Sequence, residues 1–375
     1  NGCQVTTRRS FLLAGTAALS ACKPKRSHGY EGYAFVANEE GKAIAAVDLT
    51  AFAVTRHIPL DGHPTAVIAP AQNPSIFALT PENGTIHEIL ASKLSFTRSV
   101  RVVPTALAMR LDQQSNSLWV LASRPAKLVR VDLASFRPAA EIALPAEPLD
   151  YDISSDGKKA AISFGPEGSC GLVDLVQKRV ERRIKVSEAI GTVRFRSDDR
   201  SLLVANLSRR MLSIYDVASG QIITHLPLAV RPDHFCFRSD GGQLFITGEG
   251  MDGVVVVYPH KTPMVAETVL AGSAPAEMGV STGTPDLLFV TNPASGRVTI
   301  LDIVSRRVIG IVPVGAGPGY VTTTPDGQYA LILDRTSGDM AVIRIAAITA
   351  KRKLAPLFTM IPVGSHPVSA VVKAI

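Results

Sequence analysis

The chain repeats itself at a nearly constant interval. Eight short apolar segments recur: Tyr33–Asn38 (YAFVAN), Ser75–Thr80 (SIFALT), Ser117–Ala122 (SLWVLA), Lys159–Phe164 (KAAISF), Ser201–Asn206 (SLLVAN), Gln243–Gly248 (QLFITG), Leu287–Asn292 (LLFVTN) and Tyr329–Asp334 (YALILD). Their fourth residues are spaced by 42, 42, 42, 42, 42, 44 and 42 positions. A period of this size, rich in β-branched residues and turns, predicts a ring or array of β units, none of which can bury its apolar faces alone. The 375 residues would otherwise allow two or three domains. The repeat overrides that prior and predicts a single closed β-propeller.

Each period divides into four short strands. A turn ending in Pro opens it (Pro64, Pro104, Pro148, Pro232, Pro275, Pro318 and Pro367), and only the fifth repeat lacks one, with Gly191-Thr192 near the expected place. A polar hairpin follows, clearest as Ser155-Asp156-Gly157, Ser239-Asp240-Gly241 and Pro325-Asp326-Gly327. Asp and Gly suit such turns because they tolerate φ > 0. After the recurring hexamer comes a strand ending in an acid, as at Asp48, Asp132, Asp174, Asp216 and Asp302. An acid repeated at one position in five of the units reads as scaffold, accepting backbone N–H groups of its own turn. A last strand leads to the next Pro.

The two ends of the chain complement each other. Ser365 to Val372 matches the start of a repeat and stops after one strand, whereas the first segment, near Tyr33, begins at the second strand. The C-terminal strand should complete the N-terminal blade and remove a free sheet edge. The prediction is therefore all-β: eight four-stranded blades closed by pairing of the terminal strands, with seven blades as the alternative should one repeat be degenerate.

Residues 1–22 read as an export signal. Arg8-Arg9 precedes an apolar run from Phe11 to Leu19, which is too short to span a bilayer. Arg8-Arg9-Ser10-Phe11-Leu12-Leu13 resembles a twin-arginine signal, and Leu19-Ser20-Ala21-Cys22 resembles a bacterial lipobox, whose Cys carries the lipid. Residues 23–30 are then a tether and 31–375 the propeller. The expected location is the bacterial cell envelope, periplasmic or outer surface, with Cys22 lipidated and the membrane reached only through that anchor. The formal charge of +7 falls to +5 without Arg8 and Arg9. Basic residues spread thinly along the chain do not predict nucleic-acid binding.

Of the four cysteines, Cys170 and Cys236 belong to the propeller, in non-adjacent repeats. A disulfide needs Cα atoms within about 7 Å, so two free, largely buried thiols are expected. No CxxC, zinc-type Cys/His spacing, GxSxG, P-loop or HExxH pattern occurs. No cofactor is implied.

The hexamer, the Asp-Gly turn, the Val-Asp-Leu strand and the Gly-x-Pro turn together resemble the YVTN-repeat β-propeller family. Phe289-Val290-Thr291-Asn292 and Val312 to Pro318 come closest to its pattern. The resemblance covers the chain after residue 30 and implies the fold, with seven blades the commoner count. The wider superfamily includes lactonases, amine dehydrogenase subunits and d1-haem propellers, and its pattern brings no catalytic residues.

Propeller geometry puts the inter-blade turn and the loop after the hexamer on one face, around a channel mouth, and the Asp-Gly turns on the other. Polar residues at that mouth are the candidate ligand-binding set: His63, Asp150, Arg231, Asp233, His234, Glu277, Tyr320 and His366. His63 and His366 precede Pro in neighbouring blades and could approach each other as a ligand pair. Carboxylates and imidazoles can ligate a metal or transfer protons, but solvated rim residues need no such role. The reading is a monomeric binding scaffold for a protein partner or small molecule. The alternative is a propeller enzyme or cofactor carrier, lactonase-like or binding d1-haem or a metal.

Overall fold

The computed structural model describes residues 29–112, 114–348 and 355–375. Residues 1–22, read above as an export signal ending at Cys22, lie outside the described residues. Eight four-stranded antiparallel sheets form the ring of a β-propeller, so the count of eight holds and seven does not. We number the blades from the N-terminus. In blade 1, Pro367–Ala374 is the innermost strand, followed outward by Gly32–Asn38, Ala43–Asp48 and Ala53–Pro59. Gly32 pairs with Ala374 and Val36 with Ala370, which closes the ring as the complementary ends predict.

The hexamers are buried except at the end residues Tyr33, Lys159 and Gly248, which are half-buried, because each blade is covered on both faces. Eight apolar clusters fill the eight gaps between adjacent blades. Alternation along a strand sends successive side chains to opposite gaps. Phe77 and Leu79 pack against blade 3, whereas Ile76 and Ala78 pack against blade 1. A continuous apolar run is the signature of a strand buried on both faces. The eighth gap, with Leu331 and Leu333 against Ala34 and Val36, is as apolar as the others.

The repeated aspartates hold their own turns, as expected. Asp48 Oδ1 accepts from the backbone N–H of Thr50 at 2.7 Å, Asp132 Oδ1 from that of Ser135 at 2.7 Å, and Asp302 Oδ1 from that of Ser305 at 2.6 Å. Gly157, Gly241 and Gly327 adopt φ of +68°, +71° and +68° in the Asp-Gly hairpins, where a side chain would be strained.

Every outermost strand carries a register shift at the same place, opposite Ala46/Val47 in blade 1 through Val342/Ile343 in blade 8. The extra residue is Thr55, Thr97, Ala139, Glu181, Ile223, Ala266, Ile309 or Phe358 in turn. A bulge breaks the ladder and protects an exposed edge from pairing with another chain. No helix among the described residues is long and apolar enough to cross a membrane.

Candidate functional site

The innermost strands line the channel, and their free edges would leave backbone groups unpaired. Side chains from the neighbouring blade meet this need. Asp150 and Asp152 lie two residues apart on the innermost strand of blade 4. Asp150 Oδ2 accepts from the Val193 N–H at 3.2 Å and Asp152 Oδ2 from the Phe195 N–H at 2.9 Å, both on blade 5. Arg194 Nη1 donates to Asp150 Oδ2 at 2.6 Å. From the other side, Arg110 of blade 3 reaches Asp150 at 3.6 Å and Asp152 at 3.7 Å, and its Nε donates to the Tyr151 carbonyl at 2.6 Å. Burial pushes the Asp152 carboxyl above its usual range, outweighing the two arginines.

Further round the ring, His234 Nδ1 and Glu277 Oε1 are 3.2 Å apart. Their backbones are fixed independently: His234 pairs with Thr247, while the Glu277 carbonyl accepts from the N–H of Thr291 at 2.9 Å and from its hydroxyl at 3.1 Å. The bond to Glu277 raises the His234 imidazole above its ordinary value, and Asp233 adds to this. The Glu277 carboxyl is held low: its burial opposes this, but the bond to His234 and the charges of His234, Arg335 and Arg194 prevail. Arg335 is anchored by Nη2 on the Gly319 carbonyl at 2.8 Å, and its Nε is buried without a partner. Cys236 follows His234 at the same register on its strand, and burial pushes its thiol up to about 12.

The remaining candidates sit at the same mouth with narrower roles. His63 Nδ1 meets Glu82 Oε1 at 2.7 Å, and His366 Nδ1 meets Glu39 Oε2 at 2.8 Å. Each histidine is thus engaged by a glutamate of its own blade and not by the other. Tyr320 is structural in its contacts: its hydroxyl donates to the Ala370 carbonyl at 3.1 Å, joining blade 8 to blade 1. Arg231 lies 3.8 Å from Glu249 on the exposed rim, and the Asp233 carbonyl accepts from the Thr192 hydroxyl at 3.4 Å. Among the described residues, no group of three or more His, Cys, Asp or Glu side chains is placed to hold a metal ion.

Sequence reasoning missed Arg110, Asp152 and Arg194. A signal was present, because polar residues at alternating positions of a short strand, as in Asp150-Tyr151-Asp152, mark a face that is not packed on a core. The result is a mouth where Arg110, Asp150, Asp152, Arg194, His234, Glu277 and Arg335, from blades 3 to 8, interleave opposite charges. Such an arrangement can bind a polar or charged group and can hold or release a proton at His234.

The fold and this mouth define the class, a β-propeller with a charged channel entrance. No family model matches the chain, and no curated protein sequence matches it. Solved structures resemble it in fold. The dihydro-heme d1 dehydrogenase NirN, in complex with DHE, aligns with a TM-score of 0.73 and 13% identity over 91% of this chain and 75% of that one. The C-terminal WD40 domain of Sif2 gives 0.66 and 11%, over 80% and 86%. Kuenenia stuttgartiensis hydrazine synthase gives 0.58 and 19%, over 76% and 96%.

Proposed function

We propose that this protein is a binding propeller of the YVTN-repeat kind, exported and lipid-anchored through Cys22, that takes a polar small molecule or a partner's loop at its channel mouth. One observation carries the binding role. His234 and Glu277 face each other across a blade gap within the field of Arg194 and Arg335, on backbones that are already fixed. Rigidly held charges lose little freedom when a ligand arrives. The anchor is supported by the arrangement Arg8-Arg9, apolar run and Leu19-Ser20-Ala21-Cys22. The test is a thermal-shift series with inorganic phosphate, citrate, spermidine and short charged peptides. A shift that disappears in Glu277→Gln and Arg335→Ala supports the reading. Equal responses in wild type and both variants overturn it.

A second reading, a propeller enzyme or cofactor carrier, draws on one observation. His234 Nδ1 and Glu277 Oε1 lie 3.2 Å apart at the channel mouth, within reach of a shared proton. NirN, similar in fold, is a dehydrogenase solved with DHE. Visible absorbance or bound metal in protein purified from its native host would favour this reading, and a colourless, metal-free protein would count against the carrier form.

A further inference from the structure

We infer that the face opposite the channel mouth is the one this protein turns toward a lipid bilayer, so that the mouth points away from the membrane. The inference rests on lipidation of Cys22, as proposed above, and adds a geometry to it.

The described chain enters at Gly29, and its place of entry is tightly defined. A Cβ on Gly29 would lie 1.9 Å from the Leu49 carbonyl oxygen. The Leu49 N–H donates to the Gly32 carbonyl at 3.1 Å. Leu49 begins the turn between the third and fourth strands of blade 1, on the Asp-Gly side of the ring. Tyr30 lies close enough to Asp326, in the Asp-Gly hairpin of blade 8, for that charge to help burial raise its phenol. The tether therefore leaves from the seam between blades 8 and 1, on the face away from His234 and Glu277.

Length then fixes orientation. Seven residue steps separate Cys22 from Gly29, a reach of at most about 25 Å. Each blade strand of six or seven residues rises about 20 Å before its loops are added. A tether that must first climb the side of a blade has nothing left to cross the ring and place the mouth against the lipid. The near face also offers apolar contacts at the headgroup layer, since its turns expose Val176 (68%) and Val304 (73%).

The test uses the full chain, lipidated in a bacterial host and reconstituted in vesicles of phosphatidylethanolamine and phosphatidylglycerol. A donor fluorophore is placed at Val304→Cys on the near face or at Arg209→Cys on a mouth-side loop, with an acceptor on the lipid and unsubstituted protein giving the background. Transfer from position 304 should exceed that from 209 by roughly twofold or more, given the ~20 Å strand length between the faces. Equal or reversed transfer in protein that floats with the vesicles overturns the orientation and leaves the anchor standing. Wild type that does not float, or Cys22→Ala that still does, overturns the anchor and the orientation together.

Discussion

His234 Nδ1 lies 3.2 Å from Glu277 Oε1 across the gap between blades 6 and 7. The imidazole is raised and the carboxyl lowered. The histidine's contribution is complete below its unfolded value near 6.5 and fades as pH rises through its folded value. The glutamate's is complete above about 4.3 and fades as pH falls through its folded value. The pair should therefore stabilise most at mildly acid pH. With both side chains 37% exposed, screening limits the effect to ~0.5–1 kcal/mol. Glu277→Gln should lower the melting temperature near pH 6, lose that effect by pH 9, and bring the His234 titration, followed by NMR, down toward its ordinary value.

Asp334 is fully buried, its Oδ2 accepts from the Gly315 N–H at 3.0 Å, and its Oδ1 has no partner. Asn38 and Asn292 hold the same repeat position, and their amides donate to turn carbonyls of Val363 at 2.7 Å and Ala271 at 2.9 Å. Burial, aided by Asp339, pushes the Asp334 carboxyl up to about 7. For an acid raised in the folded state, stability declines as pH rises from the unfolded value to the folded one, and the penalty is full above that. Asp334→Asn should be near neutral at pH 4 and stabilising at pH 8, by on the order of 2 kcal/mol. Denaturant melts at the two pH values check this, and equal effects at both would contradict it.

Gly32 and Ala374 are paired at the end of the closing strand. Joining the ends through a short linker and opening the chain at Ser219-Gly220, an exposed turn, should preserve the fold, because new termini there interrupt no innermost strand. Deleting residues 367–375 should instead abolish the cooperative melt, since Gly32–Asn38 loses its inner neighbour. Circular dichroism melts of the two proteins would distinguish these outcomes.

The thiols of Cys170 and Cys236 are both pushed up to about 12 by burial. Because the thiolate is the reactive form, neither should react with an aromatic disulfide reagent in minutes at pH 8, and both should do so in denaturant. Cys236 is half-buried and Cys170 buried, so rapid labelling of native Cys236 would contradict this reading of its thiol.

What the repeat encodes was legible. Each hexamer packs two gaps, so its whole run is apolar and its spacing reports the blade. The acids at Asp48, Asp132 and Asp302 bond within three residues, a range that local sequence reveals. The channel network was not, because Arg110, Asp150 and Arg194 come from three blades and meet only after the ring closes. His63 and His366 could be placed at the mouth from their Pro turns, and Glu39 from its loop after the first hexamer, but the pairings His63–Glu82 and His366–Glu39 could not be read, since two separate loops must fold together to form each pair. The bulge at Thr55 and its seven counterparts also escaped notice, because an exposed outer strand carries no strong apolar period.

The closing strand has a consequence for synthesis. Pro367–Ala374 is the last strand of the ring to be synthesised, yet it is the inner neighbour of the ring's first strand. Until it emerges from the ribosome, the nascent ring is an open arc, with Gly32–Asn38 lacking its inner partner and the gap between blades 8 and 1 unsealed. Upstream blades can form as they emerge, but the ring becomes a single cooperative body only when this strand docks. A ribosome stalled just before residue 367 would thus display seven complete blades and one unclosed sheet, a form that quality control could distinguish from the closed ring by its exposed edge alone.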